Sequence, residues 1–465
     1  MHIISRSLLI MLIFFGASTA GGTDLSEVYQ IALASDPTLR EANANRLASS
    51  EASPQARAAL LPLITGFYSR GEGDSSGSST FQQVDSNGVT QNVINSFKSD
   101  TNRIEQWSLD LRQPLFRWDR IVGLRQAQKT VAQAEIDYQA AQQDLMLRVA
   151  EAYFNVLAAQ DTLDAEVANK EATKRQLEQA EKRFEVGLIA ITDVLEAQAA
   201  YDLAVATDIG ALRLLSTAKE SLREITSDYI DELQRPGDDL PLVNPDPASA
   251  DTWVEQAIKN NLVLNSTRLQ ADVAKDQVRI NRSGHMPTLD LIASRSGFDR
   301  DSKQANALSP LPLGAPSPTD ANSISNSISL QLNIPIFSGG NTSSVVRQSV
   351  YRHRAARERV ERVARATERS TRDAYDAVVS QIARVRALRR AVESNEKALQ
   401  ASEAGFEVGT RTTVDVLNAR QLLFRARTQY ARTRYDYIVN VLRLKEAAGS
   451  LSVQDIGEVN SWLAE

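Results

Sequence analysis

Residues 184–198, FEVGLIAITDVLEAQ, and residues 406–420, FEVGTRTTVDVLNAR, share eight of fifteen positions at an offset of 222, close to half of this 465-residue chain. The match extends outward in a fixed order: Ala152-Tyr153 recurs as Ala374-Tyr375, Pro114-Leu115-Phe116 as Pro335-Ile336-Phe337, and Leu61-Pro62 as Met286-Pro287. The offset drifts only from 221 to 225. Landmarks that keep one order and nearly one spacing across two halves are the trace of an internal duplication. Each half is therefore expected to fold as the same structural unit.

Ahead of the duplicated region, the first 20 residues hold Arg6, an apolar run from Leu8 to Phe15, and Ser18-Thr19-Ala20 before Gly21. This is the order of a secretory signal cut after Ala20, and it predicts a mature chain that leaves the cytoplasm. Removing it takes the formal charge from −6 to about −7, a mild acidity that points away from nucleic acid as a partner. No later stretch approaches the ~20 apolar residues of a membrane helix, so entry into a bilayer would have to be made by strands. The chain has no cysteine, which removes disulfides, thiol catalysis, thiolate metal sites and a lipidated N-terminal cysteine. Stability has to come from packing and assembly.

From Trp118 to Arg235 there is no proline, and glycine appears only at 123, 187 and 210; proline is absent again from Asn341 onward. Ala, Gln, Glu, Leu and Lys dominate the first of these stretches, so long helices are expected. The run 119–186 would reach roughly 100 Å as one helix. Its apolar residues Leu145, Val149, Tyr153, Val156, Leu163 and Val167 recur by threes, fours and sevens, a coiled-coil-like seam. Gly187 suits a left-handed cap on that helix, and Asp193 with Glu196 suits the start of the next. A tight tip is predicted at 187–193, and by the duplication a second at 409–415. Shorter helices over roughly 24–60 and 249–283 open each half.

Between the opening helix and the long hairpin, each half carries two strand signals. In 104–116 the odd positions include Trp107, Leu109, Leu111 and Leu115, while Gln106, Ser108, Asp110 and Arg112 alternate with them. In 326–337, Ile328, Leu330, Leu332, Ile334 and Ile336 face one way and Ser327, Ser329, Gln331 and Asn333 the other. Leu63–Ser69 and Leu289–Arg295 read as weaker partners, and the polar stretches 71–103 and 297–325 as long loops. Dyad-patterned strands of about ten residues, joined by long polar loops, carry the signature of an outer-membrane barrel.

Four strands cannot close such a barrel. In hydrocarbon every backbone donor and acceptor must be paired within protein, which an open four-stranded sheet cannot do. Two copies would give an eight-stranded tube filled by its own side chains, and three a twelve-stranded tube with a lumen. The count excludes a monomer in the membrane and favours three copies if the function is passage. Two long hairpins per chain likewise need neighbours to bury their seams.

With its exported start, duplicated strand-loop-strand and hairpin order, and tip sequences GLIAITDVL and GTRTTVDVL, nearly the whole mature chain resembles the TolC-type outer-membrane efflux and type I secretion channel proteins. The resemblance implies an α+β, mainly α fold in which three chains share a twelve-stranded transmembrane β-barrel continuous with an α-helical barrel in the periplasm. It implies one signal peptide, 1–20, then repeats at 21–235 and 249–465 joined by a linker at 236–248. It further implies export of small molecules or polypeptides, with a periplasmic adaptor (membrane fusion protein) and an inner-membrane pump as partners and no cofactor or metal. By the resemblance, Asp415 forms an aspartate ring at the periplasmic gate, Arg411 is a basic latch, and Thr192 with Asp193 are its partners on the first hairpin. Asn418 stands where a second aspartate is expected and Phe406 where a tyrosine often joins the network, so the ring carries about three charges rather than six. The exposed tip residues Gly187, Leu188, Ile191, Gly409 and Thr410 are the expected adaptor-docking positions.

Read without the resemblance, Asp193 and Asp415 also suit helix N-caps, and three aspartates around one axis would favour cations. The histidines, at 2, 285 and 353, form no metal-spaced cluster, and no catalytic constellation is present. The arginine-rich run 352–372 reads as an exposed helix face with interspersed glutamates. The main rival is a periplasmic coiled-coil adaptor or scaffold that never enters a membrane, which leaves two copies of alternating strands unexplained. A secreted enzyme is the other rival, and it lacks the residues for chemistry.

Overall fold

The computed structural model describes residues 22–84, 86–237, 240–308, 317–318 and 320–463. The expected signal peptide lies outside them. Ten α-helices and five strands follow in the order α1 Leu25–Ser35, α2 Pro37–Ser50, α3 Ala52–Ala58, β1 Leu63–Val84, β2 Thr90–Phe116, α4 Trp118–Glu185, α5 Ile191–Thr226, α6 Ala250–Asn260, α7 Leu262–Arg282, β3 Thr288–Leu308, β4 Ser317–Pro318, β5 Ala321–Asn333, α8 Asn341–Glu407, α9 Thr413–Ala447 and α10 Val453–Asn460. The chain divides into a helical unit (Met1–Arg46, Ala134–Thr267, Arg359–Glu465) and a unit holding the sheet (Leu47–Gln133, Arg268–Glu358). Helix, two strands and a long helical hairpin occur twice in that order, as the duplication requires.

The helical unit is organised around one large apolar core, with a small separate cluster of Leu177, Ala180 and Ala197 nearer the first tip. Leu145, Val149, Tyr153 and Val156 of α4 are buried in the large core with Val378, Ile382 and Val385 of α8 and Ile438 and Leu442 of α9. The coiled-coil spacing read from α4 thus marks the buried stripe as far as Val156; beyond it Leu163 is half-buried at the core margin and Val167 is exposed. Phe154 packs edge-on to Tyr153 at 5.3 Å between centroids and stacks on Tyr435 at 5.8 Å. The Tyr435 hydroxyl donates to Asp161 Oδ2 at 2.6 Å, and the Tyr153 hydroxyl lies 2.8 Å from the Gln234 carbonyl and 3.1 Å from that of Thr23. A buried hydroxyl left without a partner is costly, so Tyr153 ties the chain start and the segment after α5 onto the core.

The opening helices are shorter than the sequence suggested. The first is broken at Asp36-Pro37: Pro37 has no N–H to continue α1, and the Asp36 carboxylate accepts from Leu39 N at 2.8 Å to begin α2. Asp36 is almost fully buried and meets Arg148 at 2.9 Å. The second opening helix breaks at Asn261, whose side chain caps Leu264 N at 3.0 Å. The final helix α10 falls in the stretch read only as continuing helix. It is anchored by Lys445, which contacts Asp455 at 2.6 Å and Glu458 at 3.1 Å.

In the other unit the sheet runs antiparallel in the order β1-β2-β3-β5, with the two-residue β4 pairing near the far end of β3. Leu63 pairs with Arg112, Trp107 with Gly297, and Leu291 with Leu330. A Cβ on Gly297 would come within 2.2 Å of Trp107 Nε1, so only glycine lets the indole lie across its neighbour strand. The expected loops 71–103 and 297–325 are corrected here: β1 and β2 pair from Leu63↔Arg112 as far as Val84↔Thr90, and β3 runs to Leu308. Ser, Gly, Thr and Asn dilute the alternation in these parts, but ladder hydrogen bonds are made by the backbone and need no apolar face. The last strand was also expected to reach Phe337; it ends at Asn333, just before Pro335, which has no amide to give.

Asp36 makes the fold sensitive to acid. Burial alone raises its pKa, but the Arg148 hydrogen bond, the Leu39 amide and the Arg148 charge outweigh burial and hold the carboxyl below its ordinary value. Its stabilisation is therefore complete above the unfolded aspartate pKa of about 3.9 and is lost as pH falls through the lower folded value. Asp36→Asn is expected to cost about 1–3 kcal/mol at pH 7 and to flatten the fall in thermal midpoint below about pH 4, measured by circular dichroism across pH.

Candidate gate at the hairpin tips

Each long hairpin turns on a glycine that closes the outgoing helix. Gly187 has φ +74° and Gly409 φ +77°, the left-handed region that side chains with a Cβ resist. At the first tip Leu188 N donates to Arg183 O at 2.9 Å and Gly187 N to Phe184 O at 2.8 Å; at the second, Thr410 N reaches Gly405 O at 2.8 Å and Gly409 N reaches Phe406 O at 3.2 Å. The paired bonds satisfy the last helix carbonyls in the same way twice.

The returning helices start differently. At the second tip Thr412 is the N-cap: its hydroxyl accepts from Asp415 N at 3.2 Å, and Asp415 Oδ2 accepts from Thr412 N at 2.9 Å. This is a reciprocal capping box. At the first tip Ala190 holds the cap position with no side-chain oxygen, and only the return half survives, Ala190 N to Asp193 Oδ2 at 3.2 Å. Both aspartates therefore sit at the third helical position rather than at the N-cap, and Glu196 takes no part in the cap bonds. The Thr412 amide, then the Thr412 hydroxyl, hold the Asp415 carboxyl below the ordinary carboxylate range, with Arg411 adding a smaller pull.

The structure brings Arg411 and Asp415 together on one tip, Nη1 to Oδ1 at 3.9 Å. Within one chain the carboxylate beside Arg411 is thus its own neighbour one turn on, where the sequence reading put it on the other hairpin. Both groups are well exposed, so the pair contributes little. Asp193 caps its own helix and Thr192 is exposed. Asn418 lines a groove of about 870 Å³ formed by α4, α5 and α9, with Asn169, Glu196, Leu203, Gln421 and Phe424. Val186, Leu188 and Val408 are at least 69% exposed, an unusual density of bare apolar side chains for two tips of a few residues each.

Toward the tips, two residues the sequence reading missed tie one hairpin to the other. The Arg183 guanidinium on α4 lies over the Phe406 ring at 4.7 Å. Arg420 on α9 donates to Gln176 of α4 at 3.2 Å and to Glu403 of α8 at 2.8 Å. Phe406 thus keeps a cross-hairpin contact without a hydroxyl. Arg420 had a visible signal: it replaces Gln198 in the repeat, and departures from a repeat are where the halves differ in role. Thr412 was legible as well, since Thr-x-x-Asp is a capping pattern. Thr412→Ala is expected to loosen the start of α9 by about 1 kcal/mol, read as faster amide exchange in 410–416 with the remainder of α9 unchanged.

The sequence profile of the family described as "Outer membrane efflux protein" matches residues 28–227 and 253–450. The chain is 36% identical over 464 residues to "Outer membrane protein TolC" of Escherichia coli K12, covering 97% of this chain and 89% of that protein. It is 29% identical to "Alkaline protease secretion protein AprF" of Pseudomonas aeruginosa, covering 93% and 85%. The solved outer membrane channel CmeC of Campylobacter jejuni shares the fold, with a TM-score of 0.70 at 16% identity over 100% of this chain and 98% of that one. A duplicated strand-and-hairpin fold, matched in both halves by one profile and over nearly its whole length by such relatives, belongs to the outer membrane efflux protein family and is an outer-membrane efflux and secretion channel protein.

Proposed function

We propose that three copies of this chain close one twelve-stranded barrel in the outer membrane, with their helices forming a periplasmic conduit gated at the hairpin tips. Each mature chain would supply two repeats, 21–235 and 249–465, joined by 236–248 after removal of 1–20. The observation that carries the proposal is the open sheet. β1 pairs only with β2, and β5 only with β3, among the described residues, so one chain presents two unpaired ladders. Hydrocarbon does not tolerate such edges, and joining β5 of one copy to β1 of the next removes them all.

The exposed apolar side chains support a lipid-facing band on this sheet. Ile328 is 82% exposed and Leu330 65% exposed, alternating with serines and Gln331 that face the other way. Ile64 and Tyr68, which pair with Leu111 and Trp107, extend the same greasy face at the helix-proximal end of β1, whereas 69–80 are mostly small and polar. A strand of 22 residues at about 3.3 Å each is far longer than an apolar band of about 25 Å. The far ends of the β1–β2 and β3–β5 ladders would therefore stand outside the membrane as a polar extension of the barrel.

At the hairpin tips, three Asp415 carboxylates brought to one axis would set a cation-selective constriction. Arg411 lies within reach to neutralise it, and Asn418 contributes no charge. Asp193 and Thr192 would face Arg411 across the chain or from the adjoining copy, while Arg183 on Phe406 and Arg420 hold the hairpins of one chain together. Leu188 and Ile191 on one tip, and Thr410 on the other, with the turns at Gly187 and Gly409, offer the surface for a periplasmic adaptor that links the channel to an inner-membrane pump. Weak, exposed pairs are suited to such a gate because an adaptor can displace them at small cost.

Two measurements test this reading. Arg411→Ser is expected to raise single-channel conductance in planar bilayers several-fold with ion selectivity still cationic; unchanged conductance removes Arg411 from the gate. Leu330→Arg is expected to destabilise the inserted barrel by about 2–4 kcal/mol and to abolish heat-modifiable oligomers on gels. Normal oligomers in the outer-membrane fraction would show that this face does not meet lipid.

A further inference from the structure

Each chain passes between helix and strand at four points: α3 to β1, β2 to α4, α7 to β3 and β5 to α8. The segments flanking them, 47–62, 117–133, 268–287 and 334–358, all lie in the unit that holds the sheet. They carry thirteen arginines and lysines against five aspartates and glutamates, a surplus of eight positive charges in a chain whose whole sequence sums to −6. Charge is thus concentrated where helices meet strands.

Internal pairing does not account for that surplus. Asp276 is taken up by Lys129 at 2.6 Å and Arg279 at 2.7 Å, and Arg112 and Arg117 share Asp290 of β3. Arg57, Arg282 and Arg347, one from each of three crossings, are exposed and form no ion pair among the described residues. At the fourth crossing Arg120 donates to the Ala59 carbonyl and keeps its charge. The same boundary carries bare apolar side chains, with Leu61, Leu115, Ile334 and Phe337 all exposed. An apolar belt is therefore bordered directly by cations.

We propose that this arginine collar binds the anionic headgroups of phospholipids in the membrane leaflet nearest the helices. This rests on the proposed reading of the strands as membrane-spanning and, for the choice of occupant, on copies that share one axis; it does not rest on passage or on the gate. A second copy of the chain is a poor occupant, because copies arranged around one axis bring the same positive collar to the same depth. Their mutual repulsion is relieved by an anion that belongs to none of them. Distance decides which residues count: Arg57 and Arg282 stand in the last turn of α3 and of α7, six residues before the following strand, and Arg347 stands about 9 Å into α8, whereas Arg357 lies about 24 Å down α8, well beyond a screening length of about 8 Å.

The test uses full-length protein, purified in detergent and delipidated, then titrated with phosphatidylglycerol or phosphatidylcholine of identical chains and examined by native mass spectrometry. Wild type is expected to retain phosphatidylglycerol preferentially, with the preference falling as salt rises. Each collar charge removed is expected to cut that preference about fivefold, since a cation near an anionic surface contributes about 1 kcal/mol. The triple variant Arg57→Gln, Arg282→Gln, Arg347→Gln should lose most of it, while the corresponding Arg→Lys triple should keep it. Arg120 is left intact for its carbonyl bond. Conductance in phosphatidylcholine bilayers should be the same for wild type and the glutamine triple. Equal retention of the two lipids by wild type, or an unchanged preference in the glutamine triple, would overturn the proposal. So would dissociation of the oligomer in that variant without loss of lipid preference, which would assign the arginines to subunit contact. Wild type that prefers phosphatidylglycerol yet conducts no ions would support the collar and count against the channel.

Discussion

Backbone hydrogen bonding in a medium without water is the constraint on which the remainder of this protein depends. A strand in lipid has no solvent to accept its N–H groups or donate to its carbonyls, so its neighbours must do both. One chain meets that demand inside its sheet through long ladders, from Leu63↔Arg112 to Val84↔Thr90 on one side and from Thr288↔Asn333 on the other. It leaves it unmet at β1 and β5, and closure by several copies is the available remedy. A hollow centre is then a geometrical result of strand number rather than a separate invention.

The helices work in a different medium and by a different force. In the helical unit, water drives the burial of a stripe at three- and four-residue spacing, and the same repeat supplies it twice. The two halves are not energetically equal, however. Tyr153 anchors the chain start and the segment after α5, while its counterpart Tyr375 is only partly buried at the core margin. The tips differ as well: the second has a complete capping box through Thr412 and Asp415, and the first has half of one because Ala190 offers no oxygen. The duplicated scaffold has thus diverged at its turns, and the more tightly organised one presents the carboxylate proposed to line the pore.

Much of the fold was legible because its signals are local and repeated. Gly187 and Gly409 announced the tips, the seam from Leu145 to Val167 announced the long helix, and alternation in 104–116 and 326–337 announced the greasy strands. The polar halves of β1, β2 and β3 were illegible for a physical reason. Side-chain alternation appears only where one face meets an apolar medium, so strands held by backbone ladders alone read as loops. At the candidate gate the turn positions were legible, but the partner of Arg411 and the cross-hairpin contacts of Arg183 with Phe406 and of Arg420 with Gln176 were not: the latter join positions hundreds of residues apart, and no local pattern encodes such a meeting.

Taken alone, the sequence determined that the chain is two copies of one unit, that no stretch after Ala20 is long and apolar enough for a membrane helix, that there is no cysteine to rely on, and that its strands are too few to close. Those properties follow from periodicity, composition and counting, which the order of residues carries directly. Tertiary structure decided where the ladders end, which aspartate caps which helix, and that Arg411 stands beside Asp415 of its own tip. It also decided that arginines from four separate stretches fall at one boundary between helix and strand. Such facts depend on which distant segments pack side by side, and that is set by the summed free energy of the folded chain rather than by any one stretch of it.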